Sequence, residues 1–143
     1  HPQLIAHERD PKIKRLAGKF DRVLVDAPCS GLGTLRRNPD LKWRQSPESV
    51  AELTAKQAAI LESAARLTKA GGRLVYATCS LLEEENEAIV QAFLAAHPDY
   101  ALIPMREALA AQNIALEMDD YLRLDPALHD TDGFFAAVLE RRT

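Results

Sequence analysis

In the stretch 20-FDRVLVDAPCSG-31 a short apolar run leads directly into a proline and a cysteine. Residues 23–25 are apolar and rich in β-branched side chains, a composition typical of a strand buried in a parallel sheet. Pro28 lacks a backbone N–H and is expected to close the strand. The stretch therefore predicts a buried strand that carries Asp26 and Cys29 at its carboxyl end.

A second stretch, 73-RLVYATCS-80, repeats this form and ends at the only other cysteine, Cys79. Between the two strands, Ser46 followed by a proline is a typical helix N-terminus, and apolar residues then recur at helical spacing as far as Leu67. The pair Gly71-Gly72 is expected to end that helix. Strand, helix and strand in this order predict a right-handed parallel βαβ unit.

Three later segments are expected to be regular: a helix over 82–98 that stops at His97-Pro98, a strand over 100–105, and a final strand over 133–142. Residues 1–19 predict a short helical turn or an irregular lead-in, and 105–118 a helix or an insertion. The four acids within 83–87 are interpreted as a helix N-terminus, where the helix dipole favours negative charge.

The two cysteines follow the two predicted parallel strands. Ligands of open α/β sheets bind outside the carboxyl ends of such strands, so neighbouring strands would bring Cys29, Cys79 and Asp26 to one rim. Each cysteine alone could instead be a small packing residue. A metal site is disfavoured, since there is no C-x-x-C motif and the four histidines are scattered.

Composition is that of an ordinary globular protein, with 143 residues, 47% apolar and 27% charged. No apolar stretch approaches the about 20 residues that cross a membrane, and no leader is recognisable. No membrane contact is therefore expected. Two cysteines do not make a disulfide framework, so a reducing, cytoplasmic location is expected.

Charge is unevenly distributed along the chain, although the net charge is only −3. Residues 1–44 hold ten Lys/Arg against five Asp/Glu, and residues 45–143 hold eight against sixteen. The basic residues concentrate in 35-LRRNPDLKWR-44, within a long loop expected over 29–46. Such a patch attracts phosphate, and the alternative interpretation is a solvated loop.

Taken together, the motifs form an ordered set: D-A-P-C-S-G at 26–31, R-R-x-P-D-x-K-W at 36–43, A-T-C-S at 77–80, E-E-N-E at 84–87 and T-D-G-F-F-A-A-V-L-E-R-R at 131–142. The set resembles the catalytic domain of the RNA 5-methylcytosine methyltransferases of the NOL1/NOP2/Sun family, from about residue 20 to 142. The resemblance implies an α/β, Rossmann-like fold that uses S-adenosylmethionine, with a mostly parallel sheet and an antiparallel closing strand. Residues 1–143 would form the C-terminal part of that domain, without the glycine-rich loop that holds the cofactor.

The resemblance also implies a chemistry that explains the thiols. Cytosine C5 is a poor nucleophile until a thiolate adds to C6, after which C5 can accept a methyl group. By similarity, Cys79 is the nucleophile, Cys29 helps to release the product, and Asp26 positions the base and, with Pro28, the cofactor. The substrate implied is RNA, with ribosomal RNA preferred and transfer RNA possible.

Other residues are expected to bind RNA or to support the site. Arg37, Lys42 and Trp43 are candidates for contact with RNA phosphates or bases, although Trp43 could equally be a core anchor. Gln57 lies on the apolar face of its helix and is expected to hydrogen-bond to the Cys29 loop. Asn86 is expected to cap or brace its helix near Cys79.

Other functions remain open from the sequence. The chain could be a non-catalytic RNA-binding or assembly module that kept the fold, or an α/β protein with two structural cysteines. A methyltransferase for exocyclic amines is disfavoured, because D-A-P-C stands where such enzymes carry Asn/Asp-Pro-Pro-aromatic. These residues alone are expected to bind the cofactor weakly or not at all, to be inactive, and to self-associate through an exposed sheet edge.

Overall fold

The computed structural model describes residues 7–142, which form one sheet with helices against it. The strands are β1 (Phe20–Asp26), β2 (Thr68–Thr78), β3 (Tyr100–Ile103), β4 (Leu122–Leu124) and β5 (Phe134–Arg141). The helices are α1 (Lys12–Leu16), α2 (Leu41–Arg44), α3 (Pro47–Leu67), α4 (Glu87–Ala96), α5 (Met105–Ala110) and α6 (Pro126–His129), with single 3₁₀ turns at Leu32–Thr34 and Glu83–Glu85. The first six residues of the expected lead-in lie outside the described residues, and its helical turn is α1.

The sheet has the order β1-β2-β5-β3, and β4 also pairs with β5. Strands β1 and β2 are parallel, with Asp26 opposite Ala77, and are joined through α3. Strand β5 runs antiparallel to β2, β3 and β4. The predicted α/β class, the parallel strand–helix–strand unit and the antiparallel closing strand are confirmed. The sheet, expected to be mostly parallel, is mixed among the described strands, with one parallel and three antiparallel pairings, and β4 was not predicted.

Helix α3 begins as the sequence predicts and ends earlier. Ser46 caps it, because the Ser46 hydroxyl accepts from the Ser49 N–H at 3.2 Å and the Ser49 hydroxyl accepts from the Ser46 N–H at 2.9 Å. The prediction that Gly71-Gly72 ends the helix is wrong: the helix ends at Leu67, and both glycines lie inside β2. Gly71 has φ +73°, so the pair accommodates an irregularity where β1 and β2 come into register.

The second long helix is shorter than the sequence predicts. It covers Glu87–Ala96 rather than 82–98, although its end before His97-Pro98 is confirmed. Residues Glu83–Glu85 form a separate 3₁₀ turn, and Asn86 has the non-helical angles φ −113° and ψ −99°. The break occurs where side chains turn inward to bind the loops after the strands.

Apolar side chains pack on both faces of the sheet. The larger cluster joins α3 and α4 to the sheet and includes the fully buried Leu61, Leu74 and Leu139. A smaller cluster around Met105 and Val138 covers the other face. Strand β1 lies at an edge of the sheet, and the Leu24 side chain there is 70% exposed. Among the described residues, none of the helices combines the length and apolarity needed to span a membrane.

Candidate active site

The two thiols meet at the carboxyl ends of the parallel strands. Strand β1 ends at Asp26 and β2 at Thr78, so Cys29 and Cys79 leave the same side of the sheet. Their Sγ atoms lie 3.3 Å apart, within hydrogen-bonding distance for thiols. Both residues are half-buried free cysteines. The expected proximity of the thiols, drawn from the parallel pairing of their strands, is therefore observed.

The environment keeps a proton on Cys29. Burial, followed by the hydrogen bond with Cys79, raises the pKa of the Cys29 thiol from 9.0 to about 12. Burial disfavours a charged thiolate, and a second ionisable thiol at 3.3 Å disfavours it further. Cys29 is thus a thiol at neutral pH and can donate a hydrogen bond, whereas the thiolate is the nucleophilic form of a cysteine.

A buried carboxylate connects the two cysteine loops. Glu85 is fully buried, and its Oε1 accepts from the Ser30 N–H at 2.8 Å and from Gln57 Nε2 at 3.0 Å. Its Oε2 accepts from the Ser30 hydroxyl at 2.6 Å and from the Ser80 hydroxyl. Ser30 and Ser80 directly follow the two cysteines, so one side chain is bonded to both loops.

Gln57 and Asn86 also reach these loops. Gln57 Nε2 donates to the Pro28 carbonyl at 2.9 Å, and its Oε1 has no hydrogen-bond partner among the described residues. Asn86 Nδ2 donates to the Ser80 carbonyl at 2.9 Å, while its Oδ1 accepts from the Thr78 hydroxyl. Gln57 therefore bonds the residue before Cys29, and Asn86 bonds the residues on both sides of Cys79.

Two glycines allow the closing strand to dock on the cysteine loops. The Gly33 N–H donates to the Cys79 carbonyl at 2.9 Å, and the Gly133 N–H donates to the Gly33 carbonyl at 2.7 Å. A Cβ on Gly33 would lie 2.7 Å from the Cys79 carbonyl oxygen and clash with the Gly133 carbonyl. Only glycine fits this approach, which joins the segment before β5 to both thiol loops.

Asp26 and Pro28 are exposed beside a groove at the sheet edge. The groove has a volume of about 570 Å³, lies between β1 and α3, and is lined by these residues, Lys56 and apolar side chains such as Val23 and Ile60. The Asp26 carboxylate has no hydrogen bond or ion pair within residues 7–142. A free carboxylate next to an apolar groove fits one wall of a site for a cationic cofactor such as S-adenosylmethionine.

The basic loop divides into a paired part and an open part. Arg37 forms an ion pair with Asp132, and Arg36 Nη1 lies 3.4 Å from Asp130 Oδ1, so these arginines join the loop to the segment before β5. On α2, the Lys42 Nζ lies 4.9 Å from the centroid of the Trp43 ring. The Trp43 side chain is 81% exposed, so its interpretation as a core anchor is wrong.

Glu85 was missed by the sequence analysis. The interpretation of the acids at 83–87 as a helix N-terminus is wrong for this residue, which is fully buried and precedes the helix. Acidic side chains are rarely buried, so the default favours the surface. The available signal was the serine that follows each cysteine.

Residues 7–142 contain no group of three or more His, Cys, Asp or Glu side chains that could hold a metal ion.

Comparison with known proteins identifies close relatives over nearly the whole chain. The family described as "16S rRNA methyltransferase RsmB/F" matches residues 3–140. A probable ribosomal RNA small subunit methyltransferase B from Synechocystis is 44% identical over 131 residues, 92% of this chain and 29% of that protein. Ribosomal RNA small subunit methyltransferase F from Escherichia coli is 42% identical over 123 residues, 85% of this chain and 26% of that protein. The chain therefore spans less than a third of these curated relatives.

Solved structures agree with these matches. NSun6 from Pyrococcus horikoshii, determined with SFG, aligns with a TM-score of 0.73 and 29% identity over 92% of this chain and 33% of that chain. A methyltransferase homolog protein from the same organism aligns with a TM-score of 0.68 and 32% identity over 90% of this chain and 41% of that chain. The Rossmann-like methyltransferase fold and the family resemblance predicted from the motifs are confirmed.

Proposed function

This chain belongs to the 16S rRNA methyltransferase RsmB/F family, and on that premise we propose that it supplies the thiol-bearing part of an S-adenosylmethionine-dependent RNA cytosine-C5 methyltransferase. The observation that carries the proposal is the separation of 3.3 Å between Cys29 Sγ and Cys79 Sγ at the ends of paired parallel strands. Ribosomal RNA is the proposed substrate, because the relatives are named for it. Transfer RNA is the alternative substrate.

Cys79 is the proposed nucleophile. Its thiolate forms a bond to C6 of cytosine, and the electrons of the C5–C6 double bond make C5 nucleophilic. When bound, S-adenosylmethionine would supply the electrophilic methyl group: the bond from C5 to the methyl carbon forms as the bond from that carbon to the sulfonium sulfur breaks, leaving S-adenosylhomocysteine. The C5 proton then passes to water, the electrons of the C5–H bond restore the double bond, and the C6–S bond breaks to return the Cys79 sulfur with its electron pair.

Cys29 is proposed to assist this last step. Its raised pKa keeps it as a thiol at neutral pH, 3.3 Å from the sulfur that must leave. A hydrogen bond from the Cys29 S–H would stabilise the departing thiolate while Cys29 keeps its proton, because hydrogen bonds to a charged sulfur are stronger than those to a neutral one.

Asp26 and Pro28 are proposed to form part of the cofactor and base site. The free Asp26 carboxylate would hold the exocyclic amine of cytosine or lie near the positive charge of the cofactor. SFG, an S-adenosylmethionine analogue, accompanies the related NSun6 structure, which supports S-adenosylmethionine as the cofactor. Because the chain spans less than a third of its curated relatives, this activity is proposed for the full-length protein.

RNA is proposed to enter over α2. Trp43 and Lys42 are exposed there, and an exposed indole beside a cation suits stacking on a base next to a phosphate. Arg37 is proposed to contact phosphate while its ion pair with Asp132 holds the loop. A cytoplasmic location remains part of the proposal, because ribosomal RNA is the proposed substrate.

The function is tested with the full-length protein, 16S ribosomal RNA and S-adenosylmethionine labelled in its methyl group. The expected product is labelled 5-methylcytidine, identified by mass spectrometry of the digested RNA, with none formed by Cys79→Ala. Labelled nucleoside of another kind would contradict C5 chemistry. RNA binding without methyl transfer would support the alternative, a non-catalytic RNA-binding or assembly module.

A further inference from the structure

We propose that Glu85 is a positioning residue that holds the Cys29 and Cys79 loops together and so sets the separation of the two thiols. Its consequence for catalysis rests on the function proposed above, whereas its effect on the thiols does not. The residues that follow the two cysteines are Ser30 and Ser80, which lie 50 positions apart in the chain.

Both serines are drawn to the same carboxylate. Ser30 donates to it twice, through its N–H at 2.8 Å and its hydroxyl at 2.6 Å, and Ser80 donates through its hydroxyl. The two serine Oγ atoms are 3.2 Å apart, almost the separation of the thiols that precede them. Each cysteine is thus one residue away from an anchor point that it shares with the other.

The anchor requires a carboxylate. All four partners of Glu85 are donors, and an ionised carboxylate offers about four acceptor sites and no donor. Glutamine has nearly the same shape, but its NH₂ group would force the two serine hydroxyls to accept, and the hydroxyl protons would lose the carboxylate as their acceptor. A buried carboxyl group is tolerated only when it is hydrogen-bonded, and that of Glu85 is fully buried among four donor groups.

The backbone of Glu85 is also fixed. The buried Tyr76 hydroxyl donates to the Glu85 carbonyl at 2.6 Å, and Tyr76 lies in β2, which leads to Cys79. Gln57 from α3 bonds both the Glu85 carboxylate and the Pro28 carbonyl before Cys29. These hydrogen bonds fix the position of the Glu85 carboxylate relative to the ends of β1 and β2, as a positioning residue requires.

A direct test is the effective concentration of the two thiols, measured as the equilibrium between the Cys29–Cys79 disulfide and a glutathione redox buffer. In that exchange the two protein thiols lose two electrons and two protons, and oxidised glutathione gains them to become two thiols. We expect Glu85→Gln to lower the effective concentration by about tenfold or more, because small displacements of reacting groups have large effects. Glu84→Gln, at an exposed neighbouring position, is the matched control and should match the wild type.

A destabilised control separates positioning from general stability. Val90→Ala removes buried volume in α4 without touching the carboxylate, so it should lower the melting temperature and leave the effective concentration unchanged. If Glu85→Gln does not fold, Ser80→Ala decides: it removes one donor and should lower the effective concentration by about threefold or more. A wild-type value in either folded variant overturns the proposal.

Methylation kinetics provide the second measurement, made on the full-length protein. Glu85→Gln should lower kcat and leave the KM for RNA within about twofold of the wild type, because the RNA-binding residues are untouched. A raised KM with unchanged kcat would count against positioning. If the wild type methylates no RNA while Glu85→Gln still loosens the thiols, the proposed function fails and the role of Glu85 stands.

Discussion

Cys29 Sγ and Cys79 Sγ lie 3.3 Å apart although the two residues are 50 positions apart in the chain. The parallel pairing of β1 and β2 brings their loops to one side of the sheet, and Glu85 bonds the residue after each cysteine. Burial and the hydrogen bond with Cys79 raise the pKa of Cys29, so this thiol retains its proton at neutral pH. A protonated sulfur 3.3 Å from a second sulfur can hydrogen-bond to it, which suits the proposed role of Cys29 in product release.

At about pH 8, iodoacetamide should alkylate Cys29 at least about tenfold more slowly than an unperturbed thiol, because a pKa raised to about 12 leaves little thiolate. In Cys79→Ala the neighbouring thiol is gone, so the pKa of Cys29 should fall and its alkylation should accelerate, while burial still keeps it above 9.0. Peptide mass spectrometry across a pH series measures both rates. Equal alkylation rates for Cys29 and an unperturbed thiol would contradict the raised pKa of Cys29.

Gly33→Ala should destabilise the protein by about 1–3 kcal/mol, the usual cost of forcing extra atoms into a packed site. The new Cβ would meet the carbonyls of Cys79 and Gly133, which cannot move without shifting both thiol loops. Gly18→Ala is the control, since nothing lies within 4 Å of its Cβ and only its φ of +65° is strained. Thermal denaturation gives the stabilities. The rate of Cys79 alkylation should also change in Gly33→Ala and not in Gly18→Ala. If Gly33→Ala changes neither the stability nor the alkylation rate, the close approach is refuted.

Trp43→Ala should weaken RNA binding by about tenfold, the usual cost of losing one base–aromatic stack. Lys42→Ala should reduce the salt dependence of binding by about one unit of slope. Neither change should alter stability, because both side chains lie on the exposed face of α2. Anisotropy of labelled ribosomal RNA with the full-length protein measures the affinities. Ile114→Ala, at another exposed apolar position, is the control, and an equal loss there would remove the case for α2.

The isolated chain should self-associate through β1. Within residues 7–142 this strand pairs on one side only, with β2, and Leu24 on it is 70% exposed. Leu24→Lys should shift the chain to monomer, since charged edge residues oppose strand pairing. Sedimentation over a range of concentrations tests this, with Leu128→Lys as the control because Leu128 is 81% exposed on α6. A wild-type chain that stays monomeric throughout would show that the edge does not recruit a partner.

The sequence predicts those parts of the structure that depend on local pattern. Apolar runs predict β1, β2 and β5, and Ser46 with Pro47 predicts the start of α3, because strand periodicity and capping are properties of neighbouring residues. Gly71-Gly72 was misassigned because a glycine pair can end a helix or accommodate a strand irregularity, and only the pairing with β1 distinguishes the two.

The site was predictable in part for the same reason. The thiols could be brought together from strand order alone, since parallel neighbours share an end. The burial of Glu85 could not, because it depends on donors from three separate segments that no local pattern connects. The pairing of Arg37 with Asp132 likewise depends on the docking of the segment before β5.

We propose that Cys79 attacks the base and that Cys29 helps the Cys79 sulfur to leave. The most direct measurement incubates full-length Cys29→Ala and Cys79→Ala variants with ribosomal RNA and S-adenosylmethionine, and looks for a covalent protein–RNA band on a denaturing gel. We predict a strong band with Cys29→Ala, because attack proceeds and release is impaired, and no band with Cys79→Ala. Absence of a band from both variants, with methylation retained by both, would contradict the covalent mechanism and return both thiols to a packing role.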